Sequence, residues 1–102
     1  MTWPHYIACL FAGMFLANAV PHFVNGVSGD PFPTPFAKPP GKGLSSPIVN
    51  VLWALFNLVA GAVLCRAGQV LDGDRLASVI FFAGIAAISI MSSVSFAKKH
   101  PR

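Results

Sequence analysis

The side chains that could do chemistry in this sequence are one histidine and several amides, all within or beside apolar stretches. Asn18 and His22 are four residues apart, and Asn25 follows three residues later. On a helix, residues at these spacings lie on one face. Asn50 and Asn57 are seven residues apart and share a face in the same way. An imidazole can exchange a proton near neutral pH, which an amide cannot, so His22 has the widest chemical range of the set.

Hydroxyl side chains extend this pattern into the last apolar stretch, where Ser89, Ser92 and Ser93 have helical spacing. Polar groups in a membrane helix usually face protein or a wet cavity, so we expect the three polar stripes to face one another. The candidate residues for a ligand site or a transport pathway are Asn18, His22, Asn25, Asn50, Asn57, Ser92 and Ser93. The same pattern is typical of side chains that only hold helices together, and the sequence leaves both interpretations open.

A second group of side chains lies at the opposite end of the apolar stretches. His5 and Cys9 are four residues apart, and antiparallel packing would bring Cys65 to a similar level. These three are weak candidates for a metal site, because a structural zinc site takes four ligands and only three are in view. A disulfide between Cys9 and Cys65, or two separate buried thiols, are the other interpretations. We predict no metal and no cofactor.

Catalysis finds little support in the sequence. The three acidic residues, Asp30, Asp72 and Asp74, all fall between the apolar stretches. Asp30, His22 and Ser92 contain the groups of a nucleophile–base–acid set, but nothing in their spacing requires that arrangement. We therefore predict no catalytic residues.

Three apolar stretches must position these side chains. The chain has 102 residues, of which 55% are apolar and 10% charged, whereas an ordinary soluble domain has about 25% charged residues. Residues 6–24, 48–65 and 76–96 contain no Asp, Glu, Lys or Arg. Each is close to the roughly 20 residues that cross a bilayer as a helix. The sequence therefore predicts one all-α domain over residues 1–102, an integral membrane bundle of three transmembrane helices.

The connection between the first two helices, residues 26–47, is rich in proline and glycine, and the chain ends in a basic tail, 97–102. Phe32 and Phe36 favour an ordered cap over a disordered loop, although a loop of this length is typical of either. Loop and tail together carry five Lys and Arg residues, against two on the other side. The positive-inside rule then places the loop and the C-terminus in the cytoplasm, and we expect a bacterial inner membrane.

Three function hypotheses follow from these features. The first is a small polytopic membrane protein that acts as an accessory or assembly component, its Asn/His/Ser network lying near the cytoplasmic boundary. The alternative is an oligomeric channel or small transporter that uses His22, Asn18 and Asn57. A membrane enzyme using His22 is the weakest. Expected partners are the lipid bilayer and either further copies of the chain or a larger membrane protein. No nucleic acid is expected, because the net charge of +4 forms no basic stripe with aromatic residues.

Overall fold

The computed structural model describes residues 2–97 and contains three α-helices. They are α1 (Trp3–Val27), α2 (Pro47–Gly68) and α3 (Arg75–Ala97). Each helix extends beyond the apolar stretch that predicts it by one to three residues at each end. All three are long and apolar enough to cross a membrane. The basic tail predicted from the sequence lies, beyond Ala97, outside the described residues.

Local side chains set where α2 and α3 begin and end. Ser46 caps α2, since its hydroxyl accepts a hydrogen bond from the backbone N–H of Val49 at 3.3 Å, and Pro47 starts the helix. The helix ends where Gln69 adopts a left-handed conformation, with φ of 54°. Asp74 caps α3 by accepting a hydrogen bond from the N–H of Ala77 at 3.0 Å. These caps satisfy backbone groups that have no partner within a helix.

The first helix is the centre of the fold, because it packs against both α2 and α3. Gly26 lies against Val51 near one end of the α1–α2 contact and Cys9 lies against Gly68 near the other, so these helices are antiparallel. Gly84 of α3 lies against Leu10 of α1. Tyr6, near the start of α1, bonds to Asp74, just before α3, whereas His22 and Phe96, near the ends of the two helices, line one cavity. The helices α1 and α3 are therefore parallel.

The interior is made of small and polar side chains, while large apolar side chains point outward. Val59, Phe82 and Ile90 are examples, with 64%, 58% and 64% of their surface exposed. The buried helical residues are Cys9, Ala12, Gly13, Ala19, His22, Gly26, Asn50, Ala54, Asn57, Gly61, Gly68, Ala77 and Gly84. A soluble domain shows the opposite preference. Small residues at helix contacts and apolar residues outside are typical of helices that meet in lipid.

Two glycines allow α1 and α3 to touch backbone to backbone. A Cβ atom at Gly84 would collide with the carbonyl oxygen of Leu10, and one at Gly13 would collide with the carbonyl oxygen of Phe81. Each glycine thus lies against the main chain of the other helix. Any larger residue at either position must separate the two helices.

Residues 28–46 connect α1 to α2 and fold back on themselves. Phe32 and Ser45 exchange two backbone hydrogen bonds, of 3.2 and 3.0 Å. Between them, the carbonyl oxygen of Thr34 accepts hydrogen bonds from the N–H groups of Ala37 and Gly41. The hydroxyls of Thr34 and Ser45 also lie 2.5 Å apart and share a hydrogen bond. Backbone and side chains together therefore close this segment into a compact turn.

At the opposite end of the molecule, a tyrosine joins α1 to the start of α3. The Tyr6 hydroxyl donates a hydrogen bond of 2.5 Å to the carboxylate of Asp74. Cys9, Val70 and Ala77 form a small buried apolar cluster at the same end. The residue that caps α3 therefore also fixes it to α1.

The α1–α3 contact predicts a large effect of substituting Gly84. We expect Gly84→Val to lower the free energy of unfolding by about 1–3 kcal/mol or more, because overpacking at a backbone contact forces the helices apart. Ala83→Val is the matched control, since Ala83 is exposed on the same turn. Thermal unfolding in detergent micelles measures both. Equal stability of the two variants would contradict the close backbone contact.

The Tyr6–Asp74 contact predicts a dependence on pH. The Tyr6 hydroxyl, with the N–H of Ala77, lowers the pKa of Asp74 below its ordinary value of 3.8 because both stabilise the carboxylate. The unfolded chain then takes up the proton first, so this contribution to stability is present above pH 3.8 and is lost as the pH falls through the folded-state pKa.

We therefore expect the melting temperature of the wild type to fall below pH 3.8 more steeply than that of Asp74→Asn. Asp72→Asn should follow the wild type, because no described residue hydrogen-bonds to the exposed Asp72 side chain. Parallel melting curves for wild type and Asp74→Asn across this range would show that the carboxylate contributes nothing.

Candidate functional site

The centre of the candidate site is a buried hydrogen bond between α1 and α2. Nδ1 of His22 lies 2.8 Å from Oδ1 of Asn50. His22 is 2% exposed to solvent and Asn50 is fully buried. The pairing forms because α1 ends and α2 begins at the same end of the antiparallel pair, which brings the two polar residues to one level.

The amide of Asn50 also holds the loop. Its Nδ2 group lies 3.0 Å from the carbonyl oxygen of Phe32, 3.2 Å from that of Ser45 and 3.1 Å from that of Ser46. All three neighbours are acceptors, so the NH₂ group of Asn50 must face them and its carbonyl oxygen must face His22. One side chain therefore joins α1, α2 and the two paired segments of the loop.

This orientation fixes the proton of His22. An amide oxygen can only accept, so Nδ1 of His22 carries the hydrogen and donates it. In the neutral ring, Nε2 is then the unprotonated nitrogen, with a free lone pair. No hydrogen bond to Nε2 exists within residues 2–97. His22 thus offers one acceptor nitrogen to whatever lies beside the ring.

A second pair of amides lies deeper along the same two helices. Nδ2 of Asn18 donates to Oδ1 of Asn57 at 3.1 Å, and Nδ2 of Asn57 donates to the backbone carbonyl of Trp53 at 2.7 Å. Asn57 is buried and Asn18 partly buried. One hydrogen bond thus joins the two amides, and both the carbonyl and the NH₂ group of the buried Asn57 have a partner.

The remaining predicted site residues do not join this network. Asn25 donates to the carbonyl of Pro21 in its own helix, at 2.7 Å. Ser93 is exposed, and Ser92 lines a separate apolar groove of about 540 Å³ between α1 and α3. No hydrogen bond from either serine side chain is found in the described chain. The network therefore joins α1, α2 and the loop, and the expected third polar stripe takes no part in it.

A cavity of about 160 Å³ lies beside the His22 ring. Asn18 and His22 form its α1 wall, Trp53 its α2 wall and Phe96 its α3 wall, while residues 33–35 and Gly41 cover it. The loop is thus a roof over a space between the helices. Thr34, whose hydroxyl bonds to Ser45 and to the N–H of Phe36, holds that roof in place.

Aromatic rings surround this cavity. The rings of His22 and Phe32 meet edge to face with centroids 5.3 Å apart, and Phe32 packs on Phe96 at 4.7 Å. Trp53 meets Phe36 edge to face at 5.2 Å. The indole Nε1 of Trp53 is buried, and it is an N–H donor with no acceptor among the described residues. Trp53 is not among the site residues that the sequence predicts, because its apolar ring does not belong to the pattern of polar side chains.

The other candidate cluster shows no metal geometry. Nδ1 of His5 bonds to the hydroxyl of Thr2 at 2.8 Å, and the thiol of Cys9 donates to the carbonyl of Gly68. Cys9 and Cys65 are both free thiols. Within residues 2–97, no three His, Cys, Asp or Glu side chains are grouped so that they could hold a metal ion.

No family model, no curated protein and no solved structure matches this chain. The fold and the site geometry are therefore the basis for the function considered below.

The role of Asn50 predicts a strong effect of its removal. Asn50→Leu deprives the His22 N–H of its acceptor and takes a donor from the loop carbonyls, each loss costing about 1–3 kcal/mol when buried. We expect a fall of at least about 2 kcal/mol in the free energy of unfolding, and rapid protease cleavage within residues 33–44. Asn25→Leu is the control, because it breaks one hydrogen bond within a single helix. Similar losses in both variants would refute a joining role for Asn50.

Proposed function

We propose that this chain is an integral membrane protein and acts as an accessory or assembly component of a larger membrane complex. The observation that supports this most is how the polar side chains are used. Asn18, Asn57, His22 and Asn50 bond to one another and to the loop, while the outward surface of the helices is apolar. Such a chain is a stable small scaffold with ample surface for a partner in the bilayer.

The third helix supplies most of that free surface. Only Ala77 and Gly84 are buried among residues Arg75–Ala97. The rest of the helix carries exposed small residues, such as Ala83 and Ser93, beside larger apolar ones. Small residues let a second helix approach closely, and hydroxyls can bond across such a contact. We propose α3 as the helix that meets the partner.

Orientation is part of the proposal. Lys38 and Lys42 are exposed on the loop, which covers the end of the molecule that contains His22. Basic residues favour the cytoplasmic side, so we propose that this end faces the cytoplasm in a bacterial inner membrane, with the C-terminus on the same side.

The alternative proposal is an oligomeric channel or small transporter that uses His22, Asn18 and Asn57. The cavity beside His22 favours it. Against it, the buried positions beyond Asn18 and Asn57, toward the other end of the helices, are small and apolar apart from the thiol of Cys9. A single copy therefore has no polar path along its length, and transport would require other chains.

A photo-crosslinking residue at Ser93 tests the accessory role. The tagged protein is extracted from cells in native lipid nanodiscs after illumination, and a matched crosslinker replaces exposed Val59 on α2. We expect the Ser93 position, and not the Val59 position, to give a discrete product with one larger membrane protein. The reason is that α3 has the least buried surface of the three helices.

The outcomes of this experiment separate the hypotheses. Crosslinks to lipid alone, with a monodisperse monomer, would overturn the accessory role. Crosslinks between copies, together with a liposome flux that His22→Ala abolishes, would establish the transporter in its place.

A further inference from the structure

The roofed cavity beside His22 has the features of a small-molecule site that is independent of any protein partner. Its described wall carries no charged side chain, because the nearby Lys38 and Lys42 of the loop are exposed and do not line it. An ion would lose its hydration there without gaining an opposite charge. The occupant must therefore be neutral.

The hydrogen-bonding groups of the wall specify what a neutral occupant must carry. His22 lines the cavity, and its Nε2 is an acceptor because Asn50 holds the hydrogen on Nδ1. Trp53 lines the same cavity and has a buried N–H without an acceptor among the described residues. The two rings lie edge to face with centroids 6.4 Å apart. A hydroxyl group has the chemistry that both call for, because it donates its hydrogen and accepts through its oxygen.

The size and the walls of the cavity fit one aromatic ring. Its volume is about 160 Å³, and an apolar protein cavity of about 150 Å³ takes up a single benzene molecule. Flat side chains, those of Pro33, Pro35, Trp53 and Phe96, make up much of the wall. Aromatic ligands stack on or meet such surfaces edge to face.

An adjoining cavity gives the ring a place for an apolar tail. This second space, of about 170 Å³, shares Asn18 and Trp53 with the first. Its other walls include Phe11, Phe15 and Ile88, which are apolar. Asn18 and Trp53 line both spaces, so the second lies next to the first and offers apolar walls to a tail that extends past these two side chains.

We infer that these two cavities bind a neutral amphiphile with a phenol-type head, the hydroxyl lying under the loop and donating to Nε2 of His22. The ring fills the roofed cavity, beside Trp53. The tail occupies the second cavity. This inference does not depend on the accessory role, because every residue that lines the two cavities belongs to one chain.

Matched probes test the hydroxyl, the ring and the tail separately. The protein is labelled with [¹⁵N]histidine in phosphatidylcholine nanodiscs and titrated with 4-octylphenol. We expect a saturable shift of the Nε2 resonance of His22, with that of His5 unchanged. The methyl ether 4-octylanisole has the same ring and tail without the donor, and it should bind at least about tenfold more weakly. Phenol without a tail, and 1-dodecanol without a ring, test whether both parts are needed.

A conservative substitution tests the acceptor nitrogen itself. Asn at position 22 can place an N–H near the position of Nδ1 and so keep the bond to Asn50, but it has nothing in place of Nε2. We expect His22→Asn to keep its fold and to lose 4-octylphenol binding. Should that variant fail to fold, Trp3→Phe leaves Trp53 as the sole tryptophan of the chain's two. Its emission then reports binding of the phenol and of the anisole to an otherwise intact site.

Each result decides for or against the site, and binding of 1-dodecanol as tight as that of 4-octylphenol would overturn the aromatic head. Equal binding of 4-octylphenol and 4-octylanisole, or no saturable shift at His22, overturns the inference. Tighter binding of 4-octylphenol than of phenol supports a membrane-borne ligand. Equal binding of those two supports the hydroxyl site with a water-borne ligand and removes the tail from the proposal.

Discussion

The structure depends on the side-chain amide of Asn50, whose carbonyl and NH₂ groups bond to different parts of the chain. The carbonyl of Asn50 accepts the His22 hydrogen, and its NH₂ group faces three carbonyl oxygens of the loop and helix start. The side chain is fully buried, so none of these bonds can be exchanged for bonds to water. In a low-dielectric interior each bond is strong and each unpaired group is costly. The end of α1, the start of α2 and the roof of the cavity therefore form as one unit.

The way the helices pack explains why so few hydrogen bonds can have this importance. Glycines such as Gly13 and Gly84 bring the backbones of α1 and α3 into direct contact, with no large side chains between them. Contacts between small residues provide close packing but little that distinguishes one rotation of a helix from another. In the proposed lipid setting there is also no hydrophobic force that drives the helices together. The bonds Asn18–Asn57 and His22–Asn50 then select one rotation and one register of α2 on α1.

The fold could be read from the sequence because its signals are local. The length of the apolar stretches and their lack of charged residues predict three long helices. Because the first two helices are antiparallel, His22 lies near Asn50. Which polar side chains hydrogen-bond to each other could not be predicted in the same way. Whether Ser93 faces inward depends on how α3 is rotated, which the contact at Gly84 sets, and that contact turns Ser93 outward. Spacing shows which residues share a face but not which way the face points.

The structure of the loop could likewise be predicted only in part from the sequence. Its prolines and glycines indicate an irregular connection, and Phe32 suggests that it packs on the helices. The roof, however, depends on pairing across the turn, where Thr34 meets Ser45 and Phe32 pairs with Ser45. Those bonds join residues eleven and thirteen positions apart, beyond the reach of any periodic pattern. The position of Asn50 opposite those carbonyls is likewise a property of the folded chain.

The choice of an amide at position 50 also determines the chemistry of the cavity. A carboxylate at that position would place a negative charge 2.8 Å from the ring and favour a doubly protonated imidazolium. The ring would then present a second N–H to the cavity and no acceptor. An amide carbonyl orients the ring equally well without that charge, and the three carboxylates of the chain all lie outside the helices. Nε2 of His22 can therefore accept a hydrogen bond from a hydroxyl, which a ring held as an imidazolium cannot do.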